Sequence, residues 1–406
     1  MSFNTALSGL NAATANLSVT SNNIANANTF GFKGSRAEFA NVFAVSPYGL
    51  ARNAIGAGVK VATVNQLFTQ GGIEFTNNNL DLAVSGQGFF TLSDGGNRVY
   101  SRAGNFAPDR EGFVTNPAGH RLQVYPPAAN GQGFDTGRLT DLRLTTGENP
   151  PSATTRVTLG NNLPANAAAP AAAPFDPDEP DSFNHSTSIT VYDSLGVAHV
   201  ATVYYVKTAN ENEWEAHTVI NGDQVGGPQT LQFSNSGELL VPANGELTLP
   251  GWTPPSGAAD LAITLNLADA TQYGERFSVS DLRQDGAAVG RLTSIEVADD
   301  GTVFARFTNG RSEALGQVAL TNFANPQGLQ QVGDNAWAET FESGDPIIGQ
   351  AGSSAFGLIQ SGALEASNVD LTEQLVNMIT AQRSFQANAQ MITTQDQVTQ
   401  TVLNIR

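Results

Sequence analysis

Apolar side chains recur every three or four residues at the start of the chain. This spacing keeps one side of a helix turned toward a partner, so it predicts an amphipathic helix at the N-terminus. The predicted seam of this helix consists of Leu7, Leu10, Thr14, Leu17, Ser21 and Ile24. Asparagines interrupt every apolar run well short of the ~20 residues that a bilayer span needs, so no membrane insertion is expected.

The C-terminus shows a second helical pattern. No glycine follows Gly362 and no proline follows Pro346. Residues 364–406 are therefore predicted to form one helix, about 60 Å long at ~1.5 Å per residue. Its seam reads Leu371, Leu375, Met378, Gln382, Phe385, Ala389 and Ile392, before the phase shifts to Val398, Val402 and Ile405.

The outer face of this C-terminal helix is polar but almost uncharged. Buried amides and hydroxyls need one or two hydrogen bonds each, whereas buried charges need partners, so a neutral polar face can be enclosed by neighbouring molecules. Copies of the same chain could therefore surround the helix. A plain intramolecular hairpin of the two terminal helices explains the pattern equally well, and both interpretations put the chain ends side by side.

Between the termini the pattern changes to short apolar stretches separated by turn residues. The stretches at 80–84, 88–92, 99–100, 113–114 and 122–125 alternate with turns rich in glycine, aspartate and proline. The same alternation returns at 295–297, 303–307 and 317–320. Turns at this spacing indicate hairpins of an antiparallel sheet.

A separate acidic block spans residues 145–284. It carries 16 acidic and 4 basic side chains, and so 12 of the 18 excess negative charges of the whole chain. An Ala/Pro run at 164–174 indicates a linker or loop, and β-branched and aromatic runs follow at 188–192 and 200–206. A charge-rich domain among charge-poor neighbours is expected to be the outermost, solvated one.

These patterns predict an α+β multidomain protein, with paired N- and C-terminal coiled-coil helices and two nested, mainly antiparallel β domains. We expect the terminal helices at 1–30 and 362–406 and a connecting segment at 31–70. The inner β domain is expected at 71–144 and 285–361, with the outer acidic β domain inserted at 145–284.

Composition excludes several classes of function. The 406 residues include 37 acidic and 19 basic side chains, only three of which are lysine. Nucleic acids and anionic lipids require clustered positive charge, so neither is an expected partner. The chain contains no cysteine, which removes disulfides, thiolate metal sites and cysteine nucleophiles. The first charge is Lys33, so a cleavable secretory signal is not predicted.

No catalytic, cofactor-binding or metal-binding site is predicted. The four histidines, at 120, 185, 199 and 217, lack metal-ligand spacing. The Gly86–Gly88 pair has no third glycine of a dinucleotide fingerprint. A hydrolase with an acidic pair stays open, because the separation of two carboxylates is a tertiary quantity. A secreted binding module in the 145–284 block is a further alternative.

Three long motifs resemble the bacterial flagellar rod and hook proteins. SNNIANANTFGFK (21–33) resembles the N-terminal signature of that family, and GALEASNVDL (362–371) with MITAQRSFQAN (378–388) its C-terminal motif. LDLAVSGQGFF (80–90) is similar to the start of the family's first β domain. The signature residues are Asn22, Asn23, Ile24, Ala25, Asn26, Thr29, Gly31, Phe32 and Lys33.

The middle of the chain resembles the hook branch of this family. VYDSLG (191–196), FTNG (307–310) and FANPQGL (323–329) look like hook-protein sequence, and rod proteins lack a large central insertion. The near alternative is a distal rod-type axial protein of the basal body. The self-assembly seam is assigned to Leu7, Leu10, Leu17, Ile24, Leu371, Leu375, Met378, Phe385 and Ile392.

The resemblance implies a non-enzymatic subunit of the flagellar hook that needs no cofactor. Hook proteins are exported by the flagellar type III apparatus, and they polymerise under a cap into a curved tube. The tube couples rod to filament and transmits torque as a universal joint. Implied partners are the chain itself, the rod, the hook cap, the hook–filament junction proteins and the export apparatus. The implied location is the extracellular hook of the basal body.

Overall fold

The computed structural model describes residues 2–42, 56–129, 133–144, 147–353 and 355–404. Part of the predicted connecting segment, 43–55, and the predicted seam residue Ile405 lie outside these described residues. Two helices stand at the chain ends and strands fill the sequence between them, which confirms the α+β class.

The elements of the first 145 residues are helix α1 (Ser2–Ala25) and strands β1 (Ser35–Val42), β2 (Gly58–Gln66), β3 (Ile73–Phe75), β4 (Leu82–Ser85), β5 (Phe89–Asp94), β6 (Asn97–Ser101), β7 (Ala107–Pro108), β8 (Val114–Thr115), β9 (Arg121–Tyr125) and β10 (Thr140–Asp141).

The middle of the chain forms β11 (Arg156–Asn162), β12 (His185–Tyr192), β13 (Ala198–Lys207), β14 (Glu213–Ile220), β15 (Asp223–Gln224), β16 (Gln229–Phe233), β17 (Leu239–Val241), β18 (Glu246–Thr248), β19 (Thr264–Asn266) and β20 (Ser278–Gln284). The last part forms β21 (Leu292–Val297), β22 (Thr302–Phe307), β23 (Ser312–Asn322), β24 (Gln330–Gly333), β25 (Ala336–Ala338), β26 (Ile347–Gln350), β27 (Leu358–Ser361), β28 (Ala363–Glu365) and helix α2 (Leu371–Asn404).

The chain divides into two compact units. Unit 1 comprises residues 1–145, 295–305 and 313–406, and unit 2 comprises 146–294 and 306–312. The strands of unit 1 between its helices belong mainly to one large sheet, whose order is β21-β22-β23-β9-β5-β6-β25-β24 with β7, β8, β10 and β26 attached at its sides. The antiparallel pairs β1–β2, β4–β27 and β3–β28 stand apart from that sheet. Its core is lined by inward-facing side chains of alternating strand positions such as Leu82, Leu92 and Leu122.

Unit 2 contains two sheets that share one hydrophobic core. The first has the order β18-β19-β11-β20, and the second the order β12-β13-β14-β16-β17 with β15 paired to β14. The pairings are antiparallel apart from β11 with β19. Core residues come from both sheets, for example Leu159 on β11 and Trp214 on β14.

The structure corrects the predicted start of the C-terminal helix. Residues 363–365 form strand β28, in which Leu364 pairs with Glu74 of β3, and the helix begins only at Leu371. Asp370 sets this start, because its Oδ1 accepts hydrogen bonds from the backbone N–H groups of Thr372 and Glu373 and so caps the helix. The N-terminal helix likewise ends at Ala25 rather than at residue 30.

The Ala/Pro run at 164–174 is more ordered than a flexible linker. Its backbone is tied to unit 2 by hydrogen bonds from Ala165 N to Tyr273 O and from Asn184 Nδ2 to Ala168 O. Ala167 packs against the core of that unit. Small side chains allow this run to lie close against the domain, which sequence composition alone does not reveal.

Candidate self-assembly site

The two terminal helices pack side by side in opposite directions. A Cβ placed on Gly9 of α1 would lie 2.5 Å from Asn388 Oδ1 of α2, so the helices approach closely at this level. At the other end of the pair, Asn23 Nδ2 donates a hydrogen bond of 3.2 Å to Gln374 Oε1. Both contacts fit one antiparallel register, in which Ser2 of α1 lies at the same height along the pair as Gln395 of α2. The end of α2 therefore extends past the start of α1.

Small and polar side chains form the buried face of α1. Ala6, Ala13, Thr20 and Asn23 are all nearly inaccessible, and they are separated by seven, seven and three residues. Together with Gly9 they keep to one side of the helix, because three- and four-residue steps add up to whole turns. Side chains of this size let two backbones approach closely, so this face joins α1 to the rest of unit 1.

The inner face of α2 contains a partly apolar row. Ala381 is buried, and Met378, Phe385, Asn388 and Ile392 are half-buried. Met378, Phe385 and Ile392 were predicted as seam residues, and here they lie on the side of α2 that faces its own chain. Ala381 lies opposite Gly9, Ala13 and Asn16 of α1 in one shared groove.

Of the other predicted seam residues, three are exposed and three are half-buried. Leu7, Leu371 and Leu375 are 40%, 44% and 46% exposed, and Leu10, Leu17 and Ile24 are half-buried. A second set of exposed apolar residues on α2 extends this surface: Val376, Ile379, Met391, Val398, Val402 and Leu403. Within one chain Leu7, Leu371 and Leu375 therefore stay largely uncovered, and the role of the predicted seam in assembly stays a prediction.

Asn23 fixes the end of α1 to the strand that follows. Its Oδ1 accepts a 2.8 Å hydrogen bond from Ser35 N, and its Nδ2 donates one of 2.7 Å to Ser35 O. An amide side chain can satisfy a backbone donor and acceptor at once, as a neighbouring strand does. This buried asparagine accounts for one position of the N-terminal motif.

A buried ionic cluster joins the N-terminal and C-terminal motifs. Lys33 Nζ lies 2.6 Å from Glu365 Oε1, and Arg102 Nη1 lies 3.2 Å from Glu365 Oε2. The same carboxylate accepts a 2.9 Å hydrogen bond from Gly71 N. Lys33 also donates to Thr69 O at 2.8 Å. Through Lys33, Gly71 and Arg102, Glu365 thus holds three segments that are distant from it in sequence.

Burial alone penalises these cations. It lowers the pKa of Lys33 and of Arg102, and the charge and hydrogen bond of Glu365 oppose that shift in both. Lys33 and Glu365 are 1% and 0% exposed, so neither charge is compensated by water. The stability of this arrangement therefore depends on all three charges being present.

The remaining motif residues shape the turn between α1 and β1. Gly31 has φ +69°, and a Cβ there would lie 2.4 Å from Ala103 N, so only glycine fits. Its N–H donates a 2.7 Å hydrogen bond to Glu365 O. Phe32 is buried beside it. Ile24, Asn26 and Thr29 are half-buried, while Asn22 and Ala25 are exposed.

Asn368 and an aromatic cluster hold the segment that leads from β2 to β3. Asn368 Nδ2 donates to Leu67 O at 2.6 Å, and its Oδ1 accepts from Gly34 N at 2.8 Å. The Phe68 ring packs edge-on against Phe89 and Trp337, each with a centroid separation of 5.6 Å. These contacts anchor the connecting segment to the large sheet of unit 1.

Sequence reasoning did not select Glu365, Arg102 or Asn368 as site residues. Glu365 and Asn368 lie within the quoted C-terminal motif, but nothing in their spacing links them to Lys33, which is 332 residues from Glu365. The available signal was compositional: Lys33 is the first charge of the chain and directly follows Phe32, and a cation that becomes buried needs a buried anion.

One cluster in unit 2 contains the residue types of a catalytic triad. In unit 2, Asp193, His199 and Ser256 lie together, but Ser256 Oγ donates to Asp193 Oδ2 at 2.6 Å, as does His199 Nε2 at 3.1 Å. The serine is thus hydrogen-bonded to the acid and not to a base, unlike an activated nucleophile. Asp193 Oδ1 accepts from the N–H groups of Leu195 and Val197, which shapes the turn between β12 and β13.

Among the described residues, no group of three histidine, aspartate or glutamate side chains is arranged to hold a metal ion. Neither described helix is long and apolar enough to cross a membrane.

Four family models match the chain in order. They are the flagella basal body rod protein (residues 3–33), the flagellar hook protein FlgE/F/G D1 domain (83–162), the flagellar basal body protein FlaE D2 domain (162–287) and the flagellar basal body rod FlgEFG protein C-terminal model (360–405). A solved structure, the Helicobacter pylori flagellar hook protein FlgE2, matches with a TM-score of 0.53 at 15% identity, covering 72% of this chain and 100% of its own. That likeness supports the fold.

Curated relatives match over the whole chain. The flagellar hook proteins FlgE of Salmonella typhimurium and Escherichia coli are each 40% identical to it, over 417 and 412 aligned residues that cover 100% of both chains. The Borreliella burgdorferi flagellar hook protein FlgE is 33% identical and covers 98% of each chain. These relatives favour the hook over the distal rod alternative. The chain therefore belongs to the flagellar hook protein FlgE family and is a structural component of the hook of the bacterial flagellar basal body.

Proposed function

We propose that this protein polymerises through its terminal helices into a flexible, curved tube that couples rod to filament and transmits torque as a universal joint. The chain belongs to the hook protein family, and the observation that carries the proposal is the apolar surface that its two terminal helices leave exposed in a single chain. Leu7, Leu371 and Leu375 are about half exposed in a single chain. Burying a large apolar side chain stabilises by roughly 1.5–3 kcal/mol, so neighbouring copies gain by covering them.

The helices are proposed to form a coiled coil that lines the tube. In support of this, the more buried positions of α2 from Gln374 to Gln395 follow the alternating four- and three-residue spacing of a coiled-coil seam. We assign the leucine seam (Leu7, Leu10, Leu17, Leu371 and Leu375) to contacts between copies and the neighbouring, small-residue face of α1 to contacts within the chain.

The tube is proposed to be layered. The terminal segments 1–30 and 362–406 would line the inside, the inner β domain (71–144 and 285–361) would form the middle, and the acidic 145–284 block would lie outside, with 31–70 connecting them. The distribution of charge supports this order, because residues 1–32 carry no charge and the 145–284 block carries most of the excess. Solvated charge belongs on an outer surface.

Export and assembly are proposed to be coupled. The chain is expected to leave the cell unfolded through the type III apparatus, and to add to the growing tube beneath a cap, between rod and hook–filament junction proteins. A helix with one fully buried side chain among 34 residues is marginal without neighbours, which supports folding of the termini upon assembly. No catalytic step and no cofactor enter this proposal.

Polymerisation of purified protein tests it. The full chain should form tubes above a threshold concentration and faster with sheared tubes as seeds, and electron microscopy should show them curved. Chains trimmed of 1–25 or of 371–406 should stay monomeric at the same concentration while keeping the circular dichroism of their strands. Tube formation by either trimmed chain would contradict the proposal. Catalytic turnover of a substrate by a soluble monomer that forms no tubes would contradict it as well.

A further inference from the structure

A set of buried polar side chains lies within the hydrophobic core of unit 2. Asn161 belongs to β11 of the four-stranded sheet, and Tyr205 and Trp214 belong to β13 and β14 of the other sheet. Their exposed fractions are 2%, 0% and 0%. Both sheets contribute to the core that encloses them, so these polar groups are cut off from bulk solvent.

Several atoms of this set lack a hydrogen-bond partner anywhere in the described part of the chain. They are Asn161 Nδ2 and Oδ1, Tyr205 Oη, Trp214 Nε1 and Gln272 Oε1. A buried donor or acceptor without a partner is strongly destabilising, and in folded proteins such groups nearly always have a protein or water partner. Five orphaned atoms in one core therefore call for a common explanation.

The strand register brings these residues together. Tyr205 pairs with Ala216 of β14, and Trp214 lies two residues from Ala216, so Tyr205 and Trp214 are diagonal neighbours on one face of the sheet. The Asn161 amide lies near the Tyr205 hydroxyl, because it opposes the rise that burial causes in the pKa of Tyr205, but the two groups do not meet the geometry of a hydrogen bond.

Gln272 adjoins the same place. Thr271 N donates a 2.8 Å hydrogen bond to Asn161 O, which puts the next residue, Gln272, beside β11. Its Nε2 bonds Asn212 Oδ1 at 3.4 Å, next to the start of β14, while its Oε1 is left over. The orphaned atoms thus come from four segments of unit 2, namely β11, β13, β14 and the chain at Gln272.

The chemistry of these atoms selects the ligand. The Trp214 indole N–H can only donate, and Gln272 Oε1 can only accept, whereas the Tyr205 hydroxyl and the Asn161 amide do both. A cation would be repelled by the N–H donors, and an anion by the carbonyl oxygens. Water donates two hydrogen bonds and accepts two, and buried water typically makes about three with groups of this kind.

We propose that unit 2 contains an internal water site, in which ordered water bridges Asn161 on one sheet to Tyr205 and Trp214 on the other. The bridge ties the two sheets together by hydrogen bonds at the centre of an otherwise apolar core. This inference is independent of the assembly role, because it concerns residues that no contact between copies needs.

The direct test is nuclear magnetic resonance of the full-length monomer with ¹⁵N-labelled tryptophan. The indole N–H of Trp214, identified by comparison with the Trp252→Phe and Trp337→Phe variants, should show a cross-peak to water of long residence. A Trp214 indole N–H without any cross-peak to water would overturn the proposal.

The sign of a stability change provides a second test. If Asn161 and Tyr205 are truly unpaired, Asn161→Leu and Tyr205→Phe should raise the melting temperature of unit 2, because each removes an unsatisfied polar group. If water bonds them, each variant should lower the melting temperature by about 2–4 °C.

Tyr204→Phe is the matched control, since Tyr204 is the neighbouring, half-buried residue on the opposite face of the same strand. Equal or higher melting temperatures for both variants would contradict the water site.

Discussion

Two parts of unit 1 differ in how much of their stabilisation a single chain supplies. One is the junction, which is the buried ionic cluster of Lys33, Arg102 and Glu365, and the other is the pair of terminal helices. At the junction, Glu365 is 0% exposed and is bonded to Lys33, Arg102 and Gly71. Along α2, only Ala381 is buried, and Leu371 and Leu375 are almost half exposed. The charges of the junction are paired within one molecule, whereas the helix pair leaves apolar side chains exposed among the described residues.

This contrast indicates a division of labour. The buried charges fix where the helices leave the β structure, because a charge cluster without water tolerates little displacement. The helices themselves are held by small side chains around Gly9 on one face and leave their leucines on another. The position of the helices relative to the strands of unit 1 is therefore determined by contacts within the chain. The contacts that hold copies together are proposed to come from the exposed leucines.

The largest expected effect comes from placing a charge on the exposed helix surface. Leu375→Asp should abolish tube formation, because a carboxylate would be enclosed without a partner in the polymer. The stability of the monomer should be unchanged, since Leu375 is 46% exposed. Sedimentation and electron microscopy of the polymer provide the measurement.

Leu195→Asp is the control for that experiment, because Leu195 is 56% exposed but lies in a turn of unit 2. It should polymerise like the unmodified chain. If Leu375→Asp assembled normally, or if both variants failed equally, the assignment of the helix surface to assembly would be wrong.

The next effect concerns the junction. Glu365→Gln removes the anion between two buried cations, and breaking such a buried pair costs about 3–5 kcal/mol of stability. Urea unfolding should show this loss, and hydrogen exchange should show lost protection near Gly71. Glu38→Gln, which removes an exposed partner of Arg36, should leave the urea midpoint unchanged. Equal behaviour of the two variants would show that the cluster does not fix the junction.

A smaller effect is expected at the close approach of the helices. Gly9→Leu should separate α1 from α2, because even a Cβ there would meet the Asn388 side chain, and overpacking typically costs about 1–3 kcal/mol. Gly72→Leu introduces the same side chain where nothing lies within 4 Å of the new Cβ, so it should be tolerated. The thermal unfolding of α-helical signal measures both, and equal losses would argue against the proposed pairing face.

Local patterns predicted the elements well and their partners less well. The alternating stretches at 88–92 and 122–125 overlap β5 and β9, since alternation and glycine turns are properties of short segments. Asp370 followed by Glu373 is a helix-capping pattern that marks the start of α2, whereas Leu364 is as acceptable in a helix as in a strand. Its pairing with Glu74, 290 positions away in sequence, decides the matter.

The junction was the least predictable part of the site. Hydrophobic periodicity favours leucines, so it selected the seam at Leu7 and Leu375 and gave no signal for the small-residue face at Ala6 and Gly9. The ionic cluster depends on three segments meeting in the fold, and no spacing in the sequence encodes that meeting. The resemblance of the terminal motifs identified the family but not the contacts that make those motifs necessary.

Hydrogen exchange of α2, compared between dilute monomer and assembled tube, tests the central claim most directly. Amides of 371–404 should exchange rapidly in the monomer and become protected in the tube, while the amides of β5 and β9 are protected in both. Full protection of 371–404 already in the dilute monomer, unchanged on assembly, would contradict the proposal that neighbouring copies complete the helices.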